Sequence, residues 1–291
     1  MKLLDKLKKY LLRPLVHSYF FIGFCSSALY WATKVQLDQA FHINKDVLFI
    51  FFSTILIYIF NRLFANIDPV NSAKDFFMLV LQKNDNRITR TYIISLLAII
   101  IYLCFYLQTS ILQLFVFAGI ISFAYMLPIL KINKNRGGLR TLGLLKINLV
   151  AFVWSIVTVS VVALETNIDL LSKRHLVLFF ERYIFIFVLT IPFDIRDKFI
   201  DKSRGMNTIP VVLGIGNTKL VNYSMLLLWL IFTVMQHGLL NIYTLVIFHI
   251  IIIIAALTYF TKEQRGDLYY LLIIDGMMIY YSICLFLVRL C

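Results

Sequence analysis

The stretch PFDIRDKFIDKSRGMNTIPVVLG, residues 192–214, directly follows a long apolar run and places three carboxylates among basic residues. On a helix, Asp194, Asp197 and Asp201 are spaced i, i+3 and i+7, so all three project from one side. Carboxylate oxygens are the ligands that hard divalent cations prefer in proteins. The stretch therefore predicts a site for a cation and an anion where an apolar helix reaches a membrane face.

A plainer interpretation of the same residues is a solvated helix at the membrane surface, in which Arg196 and Lys198 only neutralise the acids. The residues that follow favour a site instead. Gly205 and Thr208 precede the apolar run 209–213, which is too short to cross a bilayer. We expect a glycine turn and a short re-entrant element to enclose the acidic cluster on one side and so to form part of a site.

The composition is that of an integral membrane protein. The chain has 291 residues, of which 61% are hydrophobic and 15% charged, and its mean hydropathy is +0.86. A soluble domain is about half apolar and about a quarter charged. Apolar runs of about 20 residues, the length that a helix needs to cross a bilayer, recur along the chain, whereas the alternating strands of a barrel do not. We predict an all-α polytopic bundle forming one domain, residues 1–291, with nine spans near residues 15–33, 47–65, 91–108, 110–130, 143–164, 176–193, 220–238, 241–260 and 268–290.

The basic residues lie mostly on one side of these spans. With the N-terminus inside, the inner segments carry 22 Lys and Arg residues and the outer segments carry six, Arg182 among them. Because cytoplasmic segments retain positive charge, this asymmetry predicts a cell (inner) membrane protein whose N-terminus and polar loops are cytoplasmic. Residues 1–13 alternate Leu with Lys and Arg, which is typical of an amphipathic interfacial helix. The net charge of +13 then indicates an anionic lipid or substrate at the inner face, and nucleic acid is not an expected partner.

The stretch 194–214 resembles the second aspartate-rich motif of the UbiA superfamily of membrane prenyltransferases. That motif has a D-x-x-x-D core, followed by Gly, Thr and an apolar run with Pro. Here Asp197 and Asp201 supply the D-x-x-x-D spacing, and Asp194 stands one residue closer than the family pattern has it. The resemblance implies that Asp194, Asp197 and Asp201 are catalytic residues that hold Mg²⁺, and that Arg196 and Lys198 bind the substrate.

A second segment, after the second predicted span, is similar to the first motif of that superfamily but departs from it. Asn61 matches the leading Asn, whereas Arg62 and Ala65 stand where the pattern has carboxylates. Asp68 matches the third acid only if one residue is missing. The resemblance implies that Asp68 is a further metal ligand and that Asn61 binds the substrate. We further propose that the guanidinium of Arg62 replaces one cation and contacts a phosphate.

The segment 123–155 extends the similarity, since a Tyr-x-x-Pro helix end is followed by basic residues and then by the next span. In the superfamily this region helps to hold a diphosphate, which makes Tyr125, Lys131, Arg136 and Lys146 candidate substrate-binding residues. Lys and Arg at a wet helix end donate charge-assisted hydrogen bonds to phosphate oxygens. Anchoring to lipid headgroups of the inner leaflet remains an alternative for each basic residue.

One acid, Asp275, falls well inside the ninth predicted span. A charge there costs about 2.5–3.5 kcal/mol on insertion scales, so the side chain is expected to face the bundle interior. Both a neutral structural role and a place in the lining of an acceptor cavity agree with this position.

The resemblance implies a helical bundle around a central cavity that opens laterally to lipid. A prenyl diphosphate would place its tail in the bilayer and its head over Mg²⁺, and its isoprenoid group would pass to an aromatic or other lipophilic acceptor. Two alternatives remain open at this point. The chain could be a non-catalytic homologue that binds isoprenoids or lipids, or it could be a membrane transporter whose acidic inner loops coordinate ions.

Overall fold

A computed structural model describes residues 19–40, 42–64, 86–126, 130–132, 135–137, 142–263 and 265–290. The interfacial segment predicted for residues 1–13 and the acid Asp68 lie outside these ranges. The described helices and strands follow one another in a simple order: α1 (Phe20–Gln36), α2 (Lys45–Phe64), α3 (Asn86–Cys104), α4 (Thr109–Met126), β1 (Leu130–Ile132), β2 (Asn135–Gly137), α5 (Leu144–Ser155), α6 (Val161–Glu165), α7 (Lys173–Ser203), α8 (Ile209–His237), α9 (Ile242–Phe260) and α10 (Asp275–Leu290).

Two π-helical segments complete these elements. Ile156–Ser160 joins α5 to α6, and Tyr269–Ile274 leads directly into α10. Within the described ranges, six helical stretches are long and apolar enough to cross a membrane: Thr109–Met126, Leu144–Glu165, Lys173–Ser203, Ile209–His237, Ile242–Phe260 and Tyr269–Leu290. The prediction of a helical, multi-pass membrane protein is therefore confirmed, while the count of nine spans stays a prediction.

The short hairpin β1–β2 is an exception to the all-α prediction. Its strands pair antiparallel between α4 and α5, with Lys131 opposite Arg136. The fourth span, predicted to reach residue 130, ends as a helix at Met126. The segment that follows alternates apolar and polar residues instead of continuing the apolar run, which suits a pleated pair better than a buried helix.

The long helix α7 is the scaffold of the bundle. It packs mainly against α5 and α8, and it contributes Phe185 to the largest apolar cluster. There the ring of Phe185 stacks on Tyr281, with centroids 4.6 Å apart, and lies 5.4 Å from Trp229. Its 31 residues span about 46 Å, more than the roughly 30 Å of hydrocarbon. The helix therefore continues past the predicted end of the sixth span at residue 193 and carries all three acids of the motif on one rigid element.

A chain reversal connects α7 to α8. Gly205 adopts φ 69°, which is the glycine turn that the sequence predicts, and Thr208 precedes the first residue of α8. The predicted re-entrant element, residues 209–213, forms the first part of α8. It is separated from the rest of that helix by Gly214, whose φ of 76° is not helical. Only glycine adopts such angles at little cost, so this residue permits the change of direction.

Buried polar contacts tie the opposite end of α7 to α1. The side chain of Arg182 is 1% exposed and donates to the carbonyl of Leu29 at 2.9 Å and to the hydroxyl of Thr33 at 3.3 Å. Arg182, counted from the sequence among the basic residues of the outer side, is therefore a buried residue of α7, and its membrane side stays a prediction. A guanidinium within a helical bundle needs several acceptors, and the backbone and side chains of α1 supply them.

Candidate active site

A cavity of about 320 Å³ lies among the helices that carry the predicted motifs. Its walls come from α2, α4, α5, α7 and the helical stretch that contains α10, and most of the lining is apolar or aromatic. The polar side chains that line it are Tyr58, Asn61, Ser122, Tyr125, Lys146, Thr190, Asp194, Arg196, Asp197 and Asp275. The fold thus brings six of the sequence-predicted site residues to one cavity.

Lys146 forms the centre of an ionic cluster at this cavity. Its Nζ lies 2.8 Å from Oδ1 of Asp194 and 3.2 Å from Oδ2 of Asp201. Both carboxylates are almost fully buried, at 2% and 3% exposure. The two acids lie about two turns apart on α7. The ammonium of Lys146, which belongs to the first turn of α5, contacts both and so bridges them. Lys146, predicted from the sequence as a phosphate ligand, is thus first of all the counter-ion of two buried acids.

Arg196 and Asp197 form a second ion pair, which is bidentate. Nε of Arg196 donates to Oδ1 of Asp197 at 2.7 Å, and Nη2 donates to Oδ2 at 3.2 Å. The guanidinium also lies over the rings of Phe193 and Tyr270, at 5.2 and 5.1 Å from their centroids. Stacking and the paired hydrogen bonds fix the plane of the guanidinium, so that it presents a defined cation to the cavity.

Two oxygen atoms of the cavity lining are buried without a hydrogen-bond partner, Oδ2 of Asp194 and Oδ1 of Asn61. Unpaired buried oxygens are costly, which indicates that a donor or a cation satisfies them in the working protein. Within the described ranges, however, no three carboxylate, histidine or cysteine side chains come together as a metal-binding group. A cation here would have to take part of its coordination from a ligand or from water.

The remaining predicted residues are placed differently. Lys198 does not line the cavity, and its Nζ lies 3.4 Å from Oε1 of Glu263, which gives it a partner away from the acids. Arg62 belongs to α2, and Lys131 is paired with Arg136 in the backbone register of the hairpin. Their roles as substrate ligands stay predictions.

Close backbone packing holds the turn after α7 against the cluster. Gly143 lies just before α5, and a Cβ there would come within 2.0 Å of the carbonyl oxygen of Asn207. The backbone N–H of Met206 in turn donates to the carbonyl of Asp201 at 2.9 Å. The residue at 143 must therefore be a glycine for Lys146 and Asp201 to meet as they do.

Several cavity residues were not predicted from the sequence. Tyr58 lies one turn before Asn61 on α2, and Ser122 lies one turn before Tyr125 on α4. Both pairs have the i, i+3 spacing that places side chains on one helix face, and this spacing within apolar spans was the available signal. Thr190 gave a similar signal, because it lies one turn before Asp194 on α7, whereas Trp154 gave none, because a single aromatic residue in a span is ordinary.

No protein-family model matches the sequence, and none of the curated proteins is similar to it in sequence. Among solved structures, a UbiA homologue from Archaeoglobus fulgidus bound to DMAPP and Mg²⁺ is similar, with a TM-score of 0.61 at 14% identity over 95% of this chain and 99% of that one. The apo structure of a UbiA homologue from Aeropyrum pernix K1 gives 0.61 at 15% identity, over 92% of this chain and 97% of that one.

This chain has the UbiA fold. A structure described as giving insight into the biosynthesis of digeranylgeranylglyceryl phosphate synthase in membranes is also similar, with a TM-score of 0.57 at 15% identity over 96% of this chain and 98% of that one. Structural similarity over nearly complete chains, at such low sequence identity, shows a shared helical arrangement and no more. The resemblance noted in the motif of α7 is thereby confirmed at the level of the UbiA fold.

Proposed function

We propose that the chain is a UbiA-superfamily prenyltransferase, which transfers an isoprenoid group from a prenyl diphosphate to a lipophilic acceptor in a Mg²⁺-dependent reaction. One observation carries this proposal: a largely apolar cavity bears two half-buried cations, Lys146 and Arg196, each already paired with an acid of the α7 motif. A prenyl diphosphate needs this combination, because its tail is apolar and its diphosphate head is a polyanion that cations bind. The similarity to UbiA homologues, one of them bound to DMAPP and Mg²⁺, supports the same assignment.

The donor set of the cavity fits Mg²⁺. This ion is usually bound through one or two carboxylates together with substrate phosphates, and it keeps several waters. Asp194 and Asp197 line the cavity, and the unpartnered oxygens of Asp194 and Asn61 are hard ligands. We propose Asp194 and Asp197 as the principal holders, with Asp201 behind Lys146 and Asp68 as a predicted further ligand. When bound, the ion would supply charge neutralisation for the departing diphosphate.

The chain's own cations complete the binding of the head group. Arg196 is pre-oriented by Asp197 and therefore loses little conformational freedom when it donates to a phosphate oxygen. Lys146 can exchange one of its two carboxylate contacts for a phosphate, since its three donors rotate freely about the end of the side chain. Both charges would stabilise the negative charge that develops on the leaving diphosphate.

The apolar lining would accommodate the isoprenoid and shield the allylic cation from water. Tyr58, Trp154 and Phe193 line the cavity, and aromatic faces attract cations within about 6 Å. We further propose that the site opens to the cytoplasmic side of the cell membrane, because the basic residues are concentrated in the inner segments.

The test is turnover by the purified protein in nanodiscs, with Mg²⁺, a panel of prenyl diphosphates and a lipid extract of the source cell. We expect diphosphate release and a prenylated product by mass analysis, and both should stop when Mg²⁺ is chelated. The Asp197→Asn variant should lose roughly 100-fold in rate, because it frees Arg196 and removes a carboxylate from the site. Asp38→Asn, which removes an exposed acid from the loop between α1 and α2, is the matched control.

Full turnover by Asp197→Asn would contradict the proposal. Ion or lipid flux in sealed vesicles without any product would favour a transporter. Tight binding of a prenyl diphosphate without turnover would instead indicate a non-catalytic homologue.

A further inference from the structure

Among the described residues that line the cavity, Asp275 is the one acid that the proposed chemistry leaves without a role. It is 8% exposed and belongs to α10, whereas the other acids of the lining belong to α7. Its backbone carbonyl accepts a hydrogen bond from the thiol of Cys25 at 3.3 Å. In the part of the chain that the structure describes, no hydrogen bond or ion pair reaches its carboxylate, which is therefore available to a molecule in the cavity.

The carboxylate of Asp275 has few neighbours that could neutralise its charge or donate hydrogen bonds to it. Leu271 and Met278, on the same helical stretch, line the cavity with it, and so does Tyr58 of α2. Arg196 lines the same cavity, but its guanidinium is already engaged by Asp197. An acid that is buried in a membrane bundle without a partner is costly to keep, which favours a function for it.

The backbone before Asp275 is also unusual. The π-helical segment Tyr269–Ile274 ends directly before it. A π-helical segment shifts the register of the residues that follow, and such segments occur frequently at functional sites. The Cys25 contact from α1 then fixes the carbonyl of Asp275 where the regular helix resumes. The acid is thus held at a defined position on a rigid helix, as a group that meets a substrate must be.

We propose that Asp275 receives the acceptor, and that this acceptor is a lipophilic molecule with a hydroxyl or amino group. The inference rests on the proposed prenyl transfer. The carboxylate accepts a hydrogen bond from the O–H or N–H group and so directs its lone pair towards the allylic carbon. The carbon–oxygen bond to the diphosphate breaks, and its electron pair leaves with the diphosphate. The acceptor lone pair forms the new bond to carbon, and the acceptor proton passes to the carboxylate of Asp275.

The experiment separates the two substrates. Purified protein in nanodiscs receives Mg²⁺, geranyl diphosphate and a lipid extract, which is used either untreated or after acetylation of its hydroxyl and amino groups. Binding of labelled geranyl diphosphate is measured by equilibrium dialysis, and geranylated products are measured by mass spectrometry. For Asp275→Asn we expect unchanged binding of geranyl diphosphate and about 100-fold less product, the usual contribution of a general base. The acetylated extract should give no product with the unaltered protein.

Two further variants keep the test decisive. Asp275→Glu retains the carboxylate and should restore part of the transfer. Asp46→Asn removes another buried acid, 2% exposed and outside the cavity lining, and should behave as the unaltered protein. Recovery by Asp275→Glu together with intact binding in Asp275→Asn supports the role of Asp275 in acceptor recognition, whatever the stability of either variant.

Several outcomes would overturn the inference. Undiminished transfer by Asp275→Asn, or equal product from the acetylated extract, would refute it and leave the prenyltransferase assignment intact. Parallel loss of binding and transfer in Asp275→Asn would show a structural role instead. Failure of the unaltered protein to bind any prenyl diphosphate of the panel, or to transfer one to any lipid, would refute the proposed function and this inference with it.

Discussion

Replacing Lys146 by Met should destabilise the protein through the two acids that it leaves behind. Met preserves much of the side-chain length but removes the ammonium that lies 2.8 Å from Asp194 and 3.2 Å from Asp201. Neither carboxylate can reach water easily, since they are 2% and 3% exposed. The variant therefore holds two buried charges that have lost their common partner.

The magnitude follows from the burial of the cluster. Removing one partner of a buried ion pair costs about 3–5 kcal/mol, and the 17% exposure of the Lys146 side chain favours the lower figure. For a chain of this length, 1 kcal/mol corresponds to about 2 °C in the unfolding midpoint. We therefore expect the midpoint of Lys146→Met to fall by about 6 °C.

The assay is thermal unfolding in detergent, followed by the fluorescence of the tryptophans at one fixed heating rate. The decisive comparison is a double-mutant cycle with Asp194→Asn. Because neutralising Asp194 removes much of the stranded charge, the double variant should be more stable than the sum of the single effects predicts, by about 1–3 kcal/mol. Lys202→Met, which removes an exposed lysine from the last turn of α7, should shift the midpoint by less than about 1 °C.

Additive effects in the cycle would refute this reasoning, because they would mean that Lys146 and Asp194 do not interact. An unchanged midpoint in Lys146→Met would refute it as well, since the two acids would then be compensated by water or by other groups. Either result would also weaken the proposed phosphate site, which depends on the same ammonium.

Three further predictions concern the same region. Arg196→Lys should lower the rate of diphosphate release at least tenfold in a coupled pyrophosphate assay, because an ammonium cannot replace the bidentate contact with Asp197, and full activity would contradict the proposed orientation of the guanidinium. Arg62→Ala should weaken the binding of geranyl diphosphate by about 1.5–3 kcal/mol in equilibrium dialysis, the value of a charged hydrogen bond, whereas unaltered affinity would refute the predicted phosphate contact. Gly143→Ala should destabilise the protein by about 1–3 kcal/mol in thermal unfolding, since its Cβ meets the carbonyl of Asn207, and a neutral effect would show that the turn moves freely.

Individual residues show how much of the site could be predicted from the sequence. The spacing of Asp194, Asp197 and Asp201 placed three acids on one helix face, because helical periodicity is a local property. The sequence also singled out Asn61 and Tyr125, both of which line the cavity. The sequence could not show that Lys198 pairs with Glu263, whereas Arg196, two residues earlier, lines the cavity. That choice depends on which neighbour packs against each side of α7.

The amino-acid sequence by itself determined the membrane class, the order of the apolar helices and the acidic motif at the end of α7. Hydrocarbon imposes helices of about 20 apolar residues whatever their neighbours are, so these features can be read from local composition and period. Only the tertiary structure decided that Lys146 lies between Asp194 and Asp201, and that Asp275 lines the same cavity as Lys146 and Asp194. These groups come from helices that are distant in the chain, and their meeting depends on how side chains interlock across the bundle, which no local pattern encodes.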